Sequence, residues 1–64
     1  MKVKYDKEND IIYIQLSNKP VIESDSEKPG IILDYDSDEN VVGIEILNAS
    51  TKMELPMKME YEVG

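Results

Sequence analysis

The side chains best suited by type and spacing to bind a cation lie in one polar run. Four oxygen-bearing side chains alternate there, at Asp34, Asp36, Asp38 and Asn40. Glu45 follows eleven residues after Asp34, and carboxylates at such intervals ligate calcium in EF-hand loops. The EF-hand pattern requires glycine at the sixth loop position and helices on both sides, whereas here Glu39 lies between two predicted strands. A solvated hairpin explains the acids better, and a small ligand- or metal-ion-binding domain using residues 34–40 is the alternative function.

Catalytic residue types are scarce in this sequence. It contains neither histidine nor cysteine, which removes the usual general base, the thiolate nucleophile and the soft metal ligands. Ser-His-Asp, Cys-His and zinc chemistry are therefore excluded. The acids fall in predicted loops or on alternating polar faces, where carboxylates are ordinarily solvated. We predict that the chain is not an enzyme, has no catalytic or metal-ligating residues and uses no cofactor.

The charge balance bears on the partners that the chain can bind. Fourteen acidic residues against seven lysines give a net charge of −7, which repels a phosphate backbone, and no arginine is present to grip phosphate bidentately. Direct nucleic-acid binding is disfavoured, and a basic protein is the better-matched partner. No run of about 18 apolar residues is present, so we expect no membrane span. The N-terminal residues do not resemble a signal peptide, so we expect a cytoplasmic protein.

The elements that would position these side chains are mostly strands. Apolar and polar residues alternate with a period of two between polar turns, which is typical of β structure. The predicted strands cover residues 2–5, 11–16, 21–27, 31–35 and 41–47. The third is acidic and should lie at a sheet edge. The sequence predicts one mainly β (α+β) domain over residues 1–64, an antiparallel meander of about five strands.

Three further local features are predicted. Asn48 or Ser50 can cap a short C-terminal helix that Pro56 would end. From Met57 the apolar residues alternate again, which predicts a sixth strand or a loose terminus. Gly43, inside a strand, indicates a bulge or the close approach of another backbone or ring, and a glycine that the strand merely tolerates is the alternative.

The apolar residues exceed what one short helix can cover. A sheet with uncovered aliphatic side chains needs a second layer, and another copy of the chain is an economical source. We therefore predict a homodimer, or a heterodimer with a protein that supplies the same layer. The predicted interaction face consists of Ile12, Ile14, Leu16, Val42, Ile44, Ile46, Met57, Met59 and Tyr61.

Several blocks of the sequence resemble a known family. They are YD at 5–6, DIIYIQL at 10–16, ILDYD at 32–36 and VVGIEILNAS at 41–50. The chain is similar over residues 1–52 to the short prokaryotic domain of unknown function family 2283, which leaves residues 53–64 as an extension. That resemblance carries no catalytic residues with it. It implies an antitoxin-like protein, because family members are often encoded beside a ribonuclease-type toxin, and hence an acidic β protein that masks a basic partner.

Overall fold

The computed structural model describes residues 1–64, and its regular structure is a single antiparallel sheet of five strands. The strands are β1 (Lys2–Asp6), β2 (Ile11–Gln15), β3 (Glu23–Lys28), β4 (Ile31–Tyr35) and β5 (Val41–Leu47). One 3-10 turn, Ala49–Thr51, follows β5. The prediction of a mainly β fold with five antiparallel strands is confirmed.

The order of the strands in the sheet is β1-β2-β5-β4-β3, so the predicted meander is wrong. β5 lies between β2 and β4 and pairs with both. It is the longest strand and one of the most apolar, and such a strand is stabilised most at the centre of the sheet. β3 lies at one edge with all six residues exposed, which confirms the predicted acidic edge strand.

The turns follow the local chemistry of their residues with one exception. Gly30 takes a φ of 85° in the turn between β3 and β4, as the Pro-Gly pair predicts. In the turn before β5, Glu39 takes a positive φ of 63°, although the next residue, Asn40, is of a type that adopts such values more readily. The backbone N–H of Asn40 instead donates to the Asp36 carboxylate, which fixes that residue in the turn.

The predicted C-terminal helix and sixth strand do not form. Asn48 adopts a left-handed conformation with φ of 51°, and its side chain makes no capping hydrogen bond. The Ser50 hydroxyl donates to the carboxylate of Asp10 and accepts no hydrogen bond from a following backbone N–H, and the chain completes only the 3-10 turn. Residues 52–64 contain no strand or helix. No helix of the fold has the length and hydrophobicity needed to span a membrane.

The core of this sheet is small. The buried hydrophobic residues are Ile12, Val42 and Ala49, and no large side chain is fully buried. Two carboxylates, Asp34 and Asp36, are buried as well, with 3% and 5% exposure. A chain of this length has little core to offset its conformational entropy, and here much of the aliphatic surface stays in contact with water.

Candidate functional site

The register of the strands collects the aliphatic side chains on one side of the sheet. In one row Val3, Ile14, Ile44 and Leu33 lie opposite one another across four strands, and in the next row Tyr5, Ile12, Ile46 and Ile31 do so. These eight residues are here called the apolar face. Ile12 alone among them is buried, and Val3 and Tyr5 are 38% and 39% exposed.

The C-terminal segment covers part of the apolar face. Met53, Met57 and Met59 line a groove of about 360 Å³ together with Lys58 and five residues of the face, namely Val3, Tyr5, Ile12, Ile14 and Ile46. Met53 and Met57 are half-buried, whereas Met59 is 70% exposed. Leu33 and Ile44 do not line this groove. The segment therefore lies over β1 and β2 and leaves the β4 side of the face open.

The predicted interaction residues fall into two groups in the structure. Ile12, Ile14, Ile46, Met57 and Met59 line the same groove, and Ile44 lies beside Ile14 in the sheet. The other three lie elsewhere. Val42 is 2% exposed and belongs to the core, Leu16 lines a separate hollow at the end of β2, and Tyr61 is 77% exposed and outside the groove.

Five apolar members of this surface were not among the predicted interaction residues, namely Val3, Tyr5, Ile31, Leu33 and Met53. Ile31 and Leu33 join the face because β4 pairs with β5, placing Ile31 opposite Ile46 and Leu33 opposite Ile44. The alternation within β4 was a signal for one face, but only the register with β5 identifies which one. Met53 joins it because the expected helix is absent and the chain turns back over the sheet.

The opposite side of the sheet carries a polar cluster of Tyr13, Ser24, Asp34 and Glu45. Tyr13 lies opposite Glu45, and Asp34 lies opposite Gly43. The Ser24 hydroxyl donates to Oδ1 of Asp34 at 2.6 Å. The ring of Tyr13 lies over Gly43, where a Cβ atom would come within 2.5 Å of the phenolic oxygen. Both readings of Gly43, as a bulge and as a close approach, are confirmed, because the β4–β5 register also shifts beside it.

The two carboxyl groups of this cluster influence each other. Burial raises the pKa of Glu45, and the hydrogen bond and negative charge of Asp34 raise it further. Burial also raises the pKa of the Tyr13 phenol, with both carboxylates adding to the effect. The expectation that the acids are solvated is wrong for Asp34, which the strand register turns under Tyr13, and for Asp36, which is buried in its own turn. Glu45 therefore retains its proton to a higher pH than a solvated glutamic acid does.

The cluster opens into a groove of about 510 Å³ that is also lined by Lys4, Asp6, Ile11 and Val21. A carboxyl pair can exchange a proton with a bound molecule, which is the chemistry this groove offers. No three acidic side chains of the chain converge closely enough to hold a metal ion. The polar cluster is thus an acid pair without a metal site.

The acidic run at residues 34–40 is divided by the fold. Asp34 points to the polar cluster, whereas Asp36 turns its Oδ1 atom to the backbone N–H groups of Asp38 and Asn40, at 2.8 and 3.0 Å. These backbone hydrogen bonds, the one from Asn40 above all, lower the pKa of Asp36. Oδ2 of Asp36 is buried with no hydrogen-bond partner. Asp36 therefore organises the turn, and the run does not form a converging set of ligands.

Asp10 joins the loop before β2 to the 3-10 turn that follows β5. Its carboxylate accepts hydrogen bonds from the Tyr5 hydroxyl and from both the backbone and the hydroxyl of Ser50. The hydrogen bonds from Ser50 and Tyr5 lower the pKa of Asp10. The backbone N–H of Ala49 also donates to the carbonyl of Asp10, at 2.9 Å. The 3-10 turn is thereby held against the loop that precedes β2.

A protein-family comparison matches the part of the chain that contains the sheet and the contacts of Asp10. The model of a family described as "Protein of unknown function (DUF2283)" matches residues 2–50. The chain belongs to the DUF2283 family. The DUF2283 match begins at the first residue of β1 and ends inside the 3-10 turn, so it includes the whole sheet and the contact between Asp10 and Ser50. It does not include the segment that covers the apolar face.

A curated relative extends beyond the DUF2283 match. A protein of Methanosarcina mazei named "Putative hypoxanthine phosphoribosyltransferase" is 44% identical over 54 residues. The alignment covers 84% of this chain and 43% of the relative, so the chain spans less than half of the relative's length. No solved structure matches the chain.

Proposed function

We propose that the chain is a non-enzymatic protein-interaction module that associates with a second copy of itself through the apolar face. The observation that carries this proposal is the exposure of that face. Of its eight residues only Ile12 is buried, and the chain as a whole buries three hydrophobic residues. Each side chain of this kind stabilises a protein by about 1.5–3 kcal/mol when it is removed from water. A second layer over the face would supply the burial that the monomer lacks.

A second copy is the partner that the charge distribution favours for this layer. The rows of the apolar face on β1, β2, β5 and β4 carry no charged side chain. The acids on this side of the sheet are Glu23 and Asp25 of the edge strand β3, which lie opposite Tyr35 and Leu33 of β4. Two copies related by a two-fold axis can therefore oppose the β4 side of these rows, which the C-terminal segment leaves open, while their carboxylates stay at the rim. Such self-complementary interfaces are the commonest in soluble homo-oligomers.

A basic protein partner is the second candidate, and β3 is the observation that favours it. Glu23, Asp25 and Glu27 are all exposed. Burial raises the pKa of the neighbouring Tyr35 phenol, and the charges of these three acids raise it further. Together with the net charge of −7, this acidic stripe complements a cationic surface and would speed association with it. An antitoxin-like role against a basic ribonuclease-type toxin, as the family resemblance implies, would use this surface.

Phosphoribosyl transfer is not part of the proposal. The name of the Methanosarcina mazei protein belongs to a chain of which less than half is matched. Binding a phosphoribosyl group requires cationic or N–H donors around the phosphate, and this chain has no arginine and carries a net charge of −7. The matched part is better suited to the interaction role proposed here.

The test is the native mass of the chain in solution, measured by light scattering after gel filtration. The wild type is expected to be an oligomer, and Ile44→Lys should dissociate it because the ammonium group would be buried in the apolar interface. Ile22→Lys is the matched control, since Ile22 is 66% exposed and lies outside the apolar face. Circular dichroism checks that each variant folds. If Ile44→Lys does not fold, Leu33→Lys is used in its place.

Two outcomes would overturn the proposal. The first is a monomeric wild type, and the second is a folded Ile44→Lys or Leu33→Lys variant whose mass is unchanged. A monomer that binds a hydrophobic dye would turn attention to the second candidate, which is tested by co-expression with a basic toxin-like protein encoded beside it. Capture of that protein by wild type, and its loss when Glu23 and Asp25 are changed to glutamine and asparagine, would support the acidic stripe.

A further inference from the structure

We propose that β1 is a second self-association surface, at which β1 of one copy pairs antiparallel with β1 of another and joins two sheets into one of ten strands. β1 lies at the edge of the sheet and pairs with β2 alone. None of the backbone hydrogen bonds made outside the sheet ladder involves residues 2–6. The outer N–H and C=O groups of the strand are therefore free to pair with another strand.

The sequence of β1, Lys-Val-Lys-Tyr-Asp, complements itself when read in the opposite direction. With Lys4 on the two-fold axis, Lys2 of each copy lies opposite Asp6 of the other, and Val3 lies opposite Tyr5. This register contains two ion pairs and two apolar pairs, both of which stabilise antiparallel strands. The two Lys4 side chains are the one like-charged pair.

The neighbouring registers are less favourable. A two-fold axis normal to the sheet keeps each face on its own side, so the axis must pass through a residue of β1. Moving the axis by one residue shifts the pairing partner of every residue by two. With Val3 on the axis, Lys2 would oppose Lys4 twice. With Tyr5 on the axis, only three residues of each strand overlap. The Lys4-centred register keeps all five residues of both strands paired.

The other edge of the sheet offers no such self-pairing. Glu23, Asp25 and Glu27 alternate along β3 without an intervening cation, so antiparallel copies of it would place carboxylates opposite carboxylates. Pairing β1 with β3 of another copy in a continuous sheet would place the lysines of β1 opposite serines rather than opposite carboxylates. The lysines of β1 share the face of Ser24 and Ser26, as the row Lys4, Tyr13, Glu45, Ile32 and Ser26 shows.

This inference rests on the proposed function in one respect. Pairing through β1 continues the apolar face from one copy to the next and doubles the surface that must be covered. Face packing between two ten-stranded sheets would cover it, because the axis of the edge contact is normal to the sheet and the axis of the face contact lies parallel to it. Perpendicular two-fold axes generate a tetramer of D2 symmetry. The expected native mass is therefore that of four chains.

Disulfide trapping tests the register directly, because the chain contains no cysteine. In Lys4→Cys the two introduced thiols lie on the axis, where opposed Cα atoms are about 4.5–5.5 Å apart, within disulfide reach. Lys2→Cys is the matched control, an exposed lysine on the same face of the same strand. Its two thiols would be displaced by four residues, or about 13 Å. Oxidation should cross-link the first variant at least tenfold faster than the second.

Charge variants provide a second measurement that does not depend on cross-linking. Lys2→Glu would oppose Asp6 of the other copy and should reduce the assembly from four chains to two. Lys28→Glu, at the opposite edge of the sheet, makes the same change in net charge and should leave an assembly of four chains. Lys4→Gln removes the like-charged pair and should make the edge contact tighter.

The outcomes separate this inference from the proposed function. Equal cross-linking of the two cysteine variants, or equal masses for Lys2→Glu and Lys28→Glu, would overturn the β1 contact. A wild-type dimer that Ile44→Lys dissociates would overturn it too while leaving the apolar-face proposal intact. A Lys4→Cys cross-link combined with no effect of Ile44→Lys would support the edge contact and overturn the face.

Discussion

The hydroxyl of Ser50 lies 2.6 Å from Oδ2 of Asp10, forty residues away along the chain. The backbone N–H of Ser50 donates to the other oxygen of the same carboxylate at 3.0 Å. This contact fastens the end of the central strand to the hairpin at one edge of the sheet. One of the two side chains expected to cap the predicted helix is therefore engaged by this hairpin, and the other, Asn48, makes no capping hydrogen bond.

Ser50→Ala should lower the free energy of unfolding by about 1 kcal/mol, since it removes a hydrogen bond from a half-buried site and leaves the carboxylate with fewer donors. For a domain of this size the melting temperature should fall by about 4–8 °C. Thermal unfolding followed by circular dichroism measures it. Ser37→Ala, in an exposed turn, is the control and should have no effect. Equal melting temperatures for the two variants would contradict the role given to Ser50.

Gly43→Ala should destabilise the fold by about 1–3 kcal/mol through overpacking. The new methyl group would lie 2.5 Å from the Tyr13 hydroxyl and 3.0 Å from two ring carbons. Tyr13→Phe removes the closest atom, so the double variant should recover part of the loss in urea unfolding. Gly64→Ala has open space around it and should be neutral. Strictly additive effects at residues 13 and 43 would argue against the contact.

The stability of the chain should depend on pH in two opposite directions. Because the folded-state pKa of Glu45 is raised, the stability linked to this group is present at low pH and is lost as the pH rises through that pKa. The pKa values of Asp10 and Asp36 are lowered by hydrogen bonds, so their contributions are present above the ordinary pKa and are lost as the pH falls. Urea unfolding between acidic and neutral pH should therefore show a maximum.

Glu45→Gln isolates the first of these effects. It removes the second charge beside Asp34. The fall in the free energy of unfolding above the pH of the maximum should therefore become smaller, while the fall below that pH should be unchanged. The variant should also be more stable than wild type at neutral pH. An unchanged decline in Glu45→Gln would show that another group is responsible.

Millimolar calcium should leave the melting temperature unchanged at constant ionic strength. Asp34 is engaged by Ser24 on the polar face, and Asp36 is engaged by the backbone of its own turn, so residues 34–40 do not converge on one point. Magnesium at the same concentration controls for general screening. A rise specific to calcium would restore the ligand-binding alternative for this run.

The strands were predictable because their evidence is local. Alternation in residues 2–5, 11–16 and 41–47 is enough to identify β structure, and the acids of β3 are enough to place it at an edge. The order of the strands was not predictable in this way. Pairing between Ile14 and Ile44 joins segments about thirty residues apart, and nothing in the intervening sequence distinguishes that arrangement from a simple meander.

The polar cluster was missed for a related reason. Asp34 resembles its neighbours Asp36 and Asp38 in sequence, and only the strand register turns it beneath Tyr13 and beside Glu45. Gly43 was the one local signal, since a glycine within a strand indicates that a ring or backbone approaches it. The apolar face was partly predictable from alternation, whereas Met53 depended on a chain path that the expected helix would have excluded.

The central position of β5 has a consequence for how the chain folds. The hairpin of β1 and β2 and the pair of β3 and β4 are each local, but they share no backbone pairing until the last strand enters between β2 and β4. Such non-local closure is the slow step in small β proteins. Substitutions at Ile14 or Ile44 should therefore slow folding, whereas substitutions at Val3 should mainly speed unfolding. During synthesis the sheet cannot be completed until residue 47 has left the ribosome.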